Sequence, residues 1–193
     1  IKVIIHSSTM NFIYSKVSHE KNFFGNTDPV HLTEKYGTPL YVYNENILRE
    51  RCRDMKGLIS YKNFTVNYSP KANGNLELIK IIRSEELRAD AMSPGEIYVN
   101  ILAGYNPEEI LYISNNVSED EFRYAINAGV KISVDSVSQL ELFGRINPGG
   151  EVAFRLNPGV GAGHHEKVVT AGQKTKFGIE LSSIPDVKRI AGE

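Results

Sequence analysis

The chain has 193 residues, 41% of them hydrophobic and 23% charged, with a net charge of −1. These values are usual for a globular protein with a sizeable core, and the near-neutral charge provides no field that would attract nucleic acid or an anionic membrane surface. The single cysteine, Cys52, excludes an intrachain disulfide and a cysteine-rich metal site and fits a reducing compartment. We therefore expect a cytoplasmic protein with a small-molecule partner.

We expect no targeting signal at the beginning of the sequence. The opening IKVIIHSST lacks the basic start and the small-residue cleavage site of a signal peptide, and no stretch of the sequence is apolar for long enough to span a bilayer. Because Met10 opens a more native-looking segment, we expect residues 1–9 to be leader or extraneous sequence within an N-terminal segment, 1–23. A lead-in, 24–63, is expected to precede the main domain, 64–193.

From residue 64 onward, β-rich runs alternate with helical patterns. The predicted strands are Phe64–Tyr68, Leu87–Ala91, Ile110–Ser114, Val130–Val134 and Glu151–Leu156, and a weak final helix is predicted around Ile184–Ala191. Three of the intervening helices open on a capping-box pattern, in which a serine is followed three residues later by Glu or Gln: SPGE, SEDE and SVSQ. The predicted order is β-α-β-α-β-α-β-α-β.

Strands joined by helices of this length pair in parallel with right-handed crossovers. Two architectures have this pattern, an open doubly wound sheet and a (β/α)8 barrel of the TIM type, of which this chain is long enough for only about five units. In both, function collects at the carboxyl ends of the strands. The polar residues that fall there are Lys71, Asp90 to Ser93, Asn115, Asp135 and Asn157.

Lys71 follows Pro70 directly after the first predicted strand. A solvated loop charge is the ordinary interpretation of such a lysine, but the proline stiffens the strand exit. If the side chain is aimed into a barrel mouth, desolvation lowers the pKa of the amine, and an unprotonated amine is what a Schiff base to an aldehyde requires. A lysine at this position could therefore form a Schiff base with an aldehyde.

Several motifs in order resemble one family. "YSPKAN", "LRADAMSPGE", "VDSVSQLELF", "FRLNPGVGAGHHEKVVTAG" and "TKFG", with the lead-in "HLTEKYGTPLYVYNE", resemble the amino-terminal part of the diaminopimelate decarboxylases. That family has an alanine-racemase-like barrel and uses pyridoxal 5'-phosphate, as do the related ornithine, arginine and carboxynorspermidine decarboxylases. The resemblance runs from about Phe24 to Gly178.

The resemblance implies three site residues. Lys71 matches the family lysine that holds pyridoxal phosphate covalently, and Asp90 matches an aspartate close to the cofactor. Arg155 matches an arginine that can contact the cofactor's phenolic oxygen. For Asp90, a strand-end residue that caps the following turn stays open as the alternative, and for Arg155 an ordinary ion pair does.

Other residues of the matched motifs receive weaker interpretations. Glu96 is expected to complete its capping box. His164 and His165 are adjacent, so their side chains diverge and no metal site is expected. Gly159, Gly161 and Gly163 do not have the spacing of a phosphate-binding loop, and the resemblance makes their segment a loop at the barrel mouth. Lys176 matches a family lysine at the subunit interface, although a surface charge is nearly as good an interpretation.

The resemblance also implies what lies outside the chain. The family's cofactor-stacking histidine, glycine-rich phosphate loop, glutamate facing the pyridine nitrogen and carboxy-terminal β-domain are expected after Glu193. For the intact protein, a homodimer, the implied reaction is decarboxylation of meso-diaminopimelate to L-lysine, and the chain alone is expected to be inactive. The alternatives are another decarboxylase of this fold, acting on arginine, ornithine or carboxynorspermidine, and a truncated, non-catalytic domain that binds pyridoxal phosphate.

Overall fold

The computed structural model describes residues 23–113, 115–159 and 177–192. The chain divides into two compact units, Ile1–Phe64 and Thr65–Glu193. In the described ranges, no helix combines the length and the apolar character that crossing a membrane requires.

The first unit contributes two helices in its described part, α1 (Pro29–Tyr36) and α2 (Glu45–Lys56). Each begins at a capping side chain, Asp28 for α1 and Asn44 for α2, which accepts a hydrogen bond from an amide of the first turn. The predicted lead-in therefore contains helices with well-formed starts.

The second unit alternates strands and helices. Its elements are, in chain order, β1 (Asn67–Tyr68), α3 (Leu76–Ser84), β2 (Arg88–Ala91), α4 (Pro94–Leu102), β3 (Ile110–Ile113), α5 (Glu119–Ala128), β4 (Lys131–Val134), α6 (Val137–Ile146), β5 (Ala153–Phe154), β6 (Leu156–Asn157), β7 (Ile179–Glu180) and α7 (Ile184–Gly192). Short 3-10 turns precede β3 and α7, at Pro107–Glu109 and Leu181–Ser183. The predicted alternation is confirmed.

The spatial order of the strands distinguishes the two architectures left open by the sequence. Strands β1 to β5 lie side by side in chain order, and each neighbouring pair is parallel. An open doubly wound sheet reverses its strand order at a switch point, whereas a barrel adds each strand beside the previous one. The fold is therefore a partial (β/α) barrel, and the open-sheet alternative is wrong.

The fifth predicted strand is divided at Arg155. β5 pairs with β4, whereas β6 pairs with β7. Between them, the Arg155 amide donates to the Val134 carbonyl at 2.8 Å, and the Arg155 carbonyl accepts from the Ile179 amide at 2.7 Å. The predicted run Glu151–Leu156 is thus two short strands in different sheets, linked at Arg155 by these two main-chain hydrogen bonds.

Helices cover one face of the sheet. The fully or nearly buried strand residues on this face are Ala89, Ala91, Ile110, Tyr112, Ile132 and Val134, and they share one core with Ile79, Ile97, Phe122, Ala125, Leu140 and Phe143 of the helices. Side chains alternate along a strand, so Asp90 of β2 and Ser133 of β4 lie on the other face, the barrel interior. This interior face leads to the rim formed by the strand ends.

All three predicted helix starts are confirmed. At each, the serine hydroxyl accepts a hydrogen bond from the amide three residues later; these serines are Ser93, Ser118 and Ser136. At α5 the capping box is complete, because the Glu121 carboxylate accepts in return from the Ser118 amide at 2.9 Å. Acidic residues in the first turn of α5 also favour its start.

The boxes of α4 and α6 differ from the prediction in their reciprocal bond. The Glu96 carboxylate accepts from the Met92 amide at 2.8 Å, and the Gln139 amide oxygen accepts from the Asp135 amide at 2.7 Å, each one residue before the capping serine. The capping serines of α4 and α6 have φ near −153° and −151°, against −75° at α5. This extended backbone places the preceding amide within reach of the helix side chain.

Candidate functional site

Lys71 lies in a β-turn that directly follows β1. The turn is closed by a 3.0 Å hydrogen bond from the Ala72 amide to the Ser69 carbonyl. Pro70 is buried at the second position, where its fixed φ favours a turn, and Lys71 takes the third position. The Lys71 side chain is exposed in the described part of the chain, so the desolvation expected of its amine stays a prediction for the full-length protein. Its presentation by a stiff element is what the turn shows.

The segment after Lys71 is anchored by side-chain hydrogen bonds. The Tyr68 hydroxyl donates to the Asn73 carbonyl at 3.0 Å, and the Asn73 side chain accepts from the Asn75 amide at 3.1 Å. Asn75 in turn caps α3 by accepting from two amides of its first turn. The loop that carries the lysine is therefore fixed to the strand before it and to the helix after it.

Asp90 lies on the interior face of β2, and one of its two carboxylate oxygens has a hydrogen-bond partner among the described residues. The Ser69 hydroxyl donates to Oδ2 at 2.5 Å, while Oδ1 is buried and has no hydrogen-bond partner among the described residues. The fully buried Asn100 donates from Nδ2 to the Asp90 backbone carbonyl at 2.9 Å, which fixes the strand end. The hydrogen bond that the carboxylate makes is to a residue 21 positions earlier, so it does not cap the following turn.

Arg155 lies on the same face, where the fifth strand changes partners. Its Nη1 is 3.7 Å from Oδ1 of Asp135, and its guanidinium lies over the Phe177 ring at 5.0 Å from the ring centre. Asp135 Oδ1 also accepts from the Gly178 amide at 3.2 Å. The ion pair that the sequence left open for Arg155 is therefore present, and it lies at the rim beside the strand ends.

Asp135 is the most buried carboxylate of this rim, with 6% of its surface exposed. Burial raises the pKa of the Asp135 carboxyl, because loss of hydration outweighs the opposing effects of the Gly178 amide and the Arg155 guanidinium. The charged form of Asp135 depends on the Gly178 amide and the Arg155 guanidinium, since an isolated buried charge is unfavourable in free energy.

Two amides complete the described part of the rim. Asn115, after β3, has a buried side-chain oxygen without a hydrogen-bond partner in the described ranges. Asn157, at the end of β6, is 5% exposed and accepts from the Gly159 amide at 3.0 Å. The strand ends predicted to gather function therefore do present polar atoms along one edge of the sheet, which parallel pairing requires.

Several candidates named from the sequence cannot be placed. His164, His165, Gly161, Gly163 and Lys176 lie outside the described residues. Within the described part of the chain, no group of three or more His, Cys, Asp or Glu side chains is arranged to hold a metal ion.

The described residues fit a pyridoxal group. An exposed lysine amine on a fixed turn can react with an aldehyde, and the buried Asp90 Oδ1 without a partner is an acceptor that a bound donor would satisfy. The guanidinium of Arg155 can lie beside an anionic oxygen. These three groups come from three separate regions of one rim.

Two residues of this arrangement had no predicted role, Ser69 and Asp135. Their partners lie 21 and 43 positions away in the sequence, so no local pattern shows the contacts. The signal that could have found them is strand parity: with Tyr68 opposite Ala89, Ser69 must lie beside Asp90. In the same way, the Arg155 amide bond to Val134 places Arg155 beside Asp135.

Comparisons with known proteins concern the family and the fold. The profile of the family described as pyridoxal-dependent decarboxylase, pyridoxal binding domain, matches residues 45–193. The chain is 46% identical over 170 residues to the diaminopimelate decarboxylase of Methanothermobacter thermautotrophicus, which covers 86% of this chain and 40% of that protein. The chain thus spans about 40% of the length of this curated relative.

Solved structures share the fold. The diaminopimelate decarboxylase from M. jannaschii, solved in co-complex with L-lysine, is 31% identical with a TM-score of 0.72, over 86% of this chain and 42% of that chain. The enzyme of the same name from Helicobacter pylori, complexed with L-lysine, has a TM-score of 0.75 at 23% identity, over 81% of this chain and 41% of that chain. The second likeness concerns the fold alone.

Proposed function

The chain belongs to the family of pyridoxal-dependent decarboxylases, whose pyridoxal-binding domain it carries, and from this premise we propose that the full-length protein decarboxylates meso-diaminopimelate to L-lysine. The observation that carries the proposal is the set of three groups at the carboxyl ends of the strands. Lys71 is exposed on a proline turn, Asp90 has one carboxylate oxygen without a partner among the described residues, and Arg155 is paired with Asp135. The 46% identity to a diaminopimelate decarboxylase supports the choice of substrate.

We assign pyridoxal phosphate to three residues of this chain. Lys71 would hold the cofactor covalently through its amine, and its turn keeps the point of attachment fixed. Asp90 would accept a hydrogen bond at Oδ1 while the Ser69 hydroxyl holds Oδ2. Arg155 would place its positive charge beside an anionic oxygen of the cofactor, such as the phenolic oxygen.

The reaction releases one carboxylate of the substrate as carbon dioxide, and the carbon that carried it takes up a proton. When bound, pyridoxal phosphate supplies the electron sink for the pair of electrons left on that carbon. The contribution of this chain is to bind and orient, because fixed geometry lowers the barrier for a bound substrate. The anchored lysine turn and the strand-end groups are suited to that task.

The attachment residue is tested by reduction with borohydride. Treatment of the full-length protein with pyridoxal phosphate and borohydride should leave a pyridoxyl group on Lys71, located by peptide mass spectrometry. Lys71→Ala should lose both the label and the absorbance of the covalently bound cofactor. Lys80→Ala is the matched control, because Lys80 is an exposed lysine on α3 paired with Glu77 at 3.0 Å. A label on any residue other than Lys71 would contradict the assignment.

The substrate is tested by carbon dioxide release. We expect meso-diaminopimelate to be preferred over arginine, ornithine and carboxynorspermidine, compared at equal concentrations as kcat/KM. A preference for one of the other three would keep the family and replace the substrate. Bound cofactor without release from any of the four would favour a non-catalytic domain instead.

Two further properties are proposed on the basis of the family resemblance. We place the protein in the cytoplasm, consistent with a single buried cysteine, Cys52. We also expect the full-length protein to be a homodimer, which sedimentation or light scattering would measure.

A further inference from the structure

We propose that Asp135 is a positioning residue that holds the Arg155 guanidinium for the cofactor, and this inference rests on the proposed function. Asp135 has no proposed role in holding the cofactor, yet it is a buried carboxylate at the carboxyl end of β4, and β4 pairs with β5, which Arg155 directly follows. From the sequence, Asp135 is one of the polar residues at the strand ends to which no function is assigned.

Backbone pairing sets the distance between the two side chains. The Arg155 amide donates to the Val134 carbonyl at 2.8 Å, so Arg155 stands opposite the residue that follows β4. Both side chains therefore leave the sheet on the interior face, where Nη1 and Oδ1 are 3.7 Å apart. At that distance the contact is an ion pair rather than a hydrogen bond, so charge is the main attraction between them.

A second contact holds the carboxylate itself. Asp135 Oδ1 accepts from the Gly178 amide at 3.2 Å, which ties the end of β4 to the turn before β7. The same turn brings the Phe177 ring under the Arg155 guanidinium, 5.0 Å from the ring centre. Arg155 thus lies between the Asp135 carboxylate and the Phe177 ring, and Asp135 also binds the residue that follows Phe177.

The burial of Asp135 indicates that its negative charge, and not only its shape, is used at this position. A carboxylate that is 6% exposed loses hydration, and a neutral side chain of the same size would accept the Gly178 hydrogen bond without that loss. Gly178 alone therefore does not explain an acid at this position. Arg155 does, because a carboxylate 3.7 Å from the guanidinium attracts it by charge and favours one orientation of that side chain.

The test is a double-mutant cycle on the full-length protein. Asp135→Asn keeps the shape and the acceptor for Gly178 and removes the charge, and Arg155→Met removes the guanidinium. We expect each single change to weaken binding of pyridoxal phosphate by about tenfold, and the double variant to be no weaker than Arg155→Met alone. The absorption maximum of the bound cofactor should move in the same direction in both single variants, which a purely structural role would not produce.

Asp186→Asn is the matched control, since Asp186 is an exposed acid 3.9 Å from Arg189 on α7, and we expect wild-type affinity. Independent, multiplying losses in the double variant, or unchanged affinity in Asp135→Asn, would overturn the proposal. Asp135→Ser is the second neutral variant; if neither folds, Asp135 serves the fold and the proposal is also overturned.

A wild-type protein that does not bind pyridoxal phosphate would instead contradict the proposed function. The same cycle, measured on the urea midpoint of unfolding without cofactor, then decides whether Asp135 and Arg155 interact. Additive shifts of the midpoint would remove the interaction on which the inference depends.

Discussion

Ser69→Ala tests whether the hydroxyl next to the lysine turn supports Asp90. The substitution removes the 2.5 Å hydrogen bond to Oδ2 of a carboxylate whose other oxygen is already without a partner in the described residues. A hydrogen bond to a charged group contributes about 1.5–3 kcal/mol. Both residues are half-buried, so water replaces part of the loss, and we expect the free energy of unfolding to fall by about 1.5 kcal/mol.

The assay is urea unfolding followed by circular dichroism, with the same slope expected for each variant. In an Asp90→Ala background, Ser69→Ala should cost less than about 0.5 kcal/mol, because the partner is gone. Ser84→Ala is the control, since this exposed hydroxyl donates to a neighbouring carbonyl at the end of α3. Equal losses from Ser69→Ala in both backgrounds would refute the reasoning.

The remaining predictions concern the turn before β7 and the start of α5. Gly178 has φ of +83°, and an added Cβ would lie 3.0 Å from the Asn157 nitrogen, so Gly178→Ala should lower the free energy of unfolding by more than about 2 kcal/mol. Gly144→Ala, in α6 with open space around the new methyl, should be neutral or stabilising by up to about 1 kcal/mol, and a similar loss at both sites would contradict this account. The pKa of Glu121 is lowered from its usual 4.5 by hydrogen bonds at the start of α5. Its contribution to stability is therefore present above 4.5 and lost as the pH falls. Glu121→Gln should reduce the fall in the urea midpoint on acidification, and an unchanged pH dependence would show that this bond does not form in solution.

Helix starts and strand alternation could be predicted because their causes are local. A serine followed three residues later by Glu or Gln marked the starts of α4, α5 and α6, and the observed caps are at the predicted serines. The reciprocal bonds were displaced at two of the three starts, because the backbone angle at the capping serine depends on how the chain leaves its strand. A four-residue pattern contains no information on that angle.

The fold needed one fact beyond local pattern, the spatial order of the strands. Periodicity is the same in an open sheet and a barrel, and the choice followed from the family resemblance and then from the observed order. In the candidate site, the position of Lys71 followed from its proline. The exposure of the Lys71 side chain could not be predicted in this way, because solvent access depends on parts of the chain that are distant in sequence.

The contacts of Asp90 and Asp135 were not predicted, since they join residues far apart in sequence. Only strand register brings Ser69 beside Asp90 and Gly178 beside Asp135. Register was available in principle from side-chain alternation, but short strands such as β1 and β5 give too few residues to determine it.

At Arg155, the main chain holds the strands together, whereas the side chain is available for the cofactor. Both ladder bonds at this position, to Val134 and to Ile179, are made by main-chain atoms that every residue except proline possesses. The strand can therefore be joined across the change of partners whatever side chain stands there. A loss of cofactor affinity in Arg155→Met can therefore be assigned to the missing guanidinium and not to a break in the sheet.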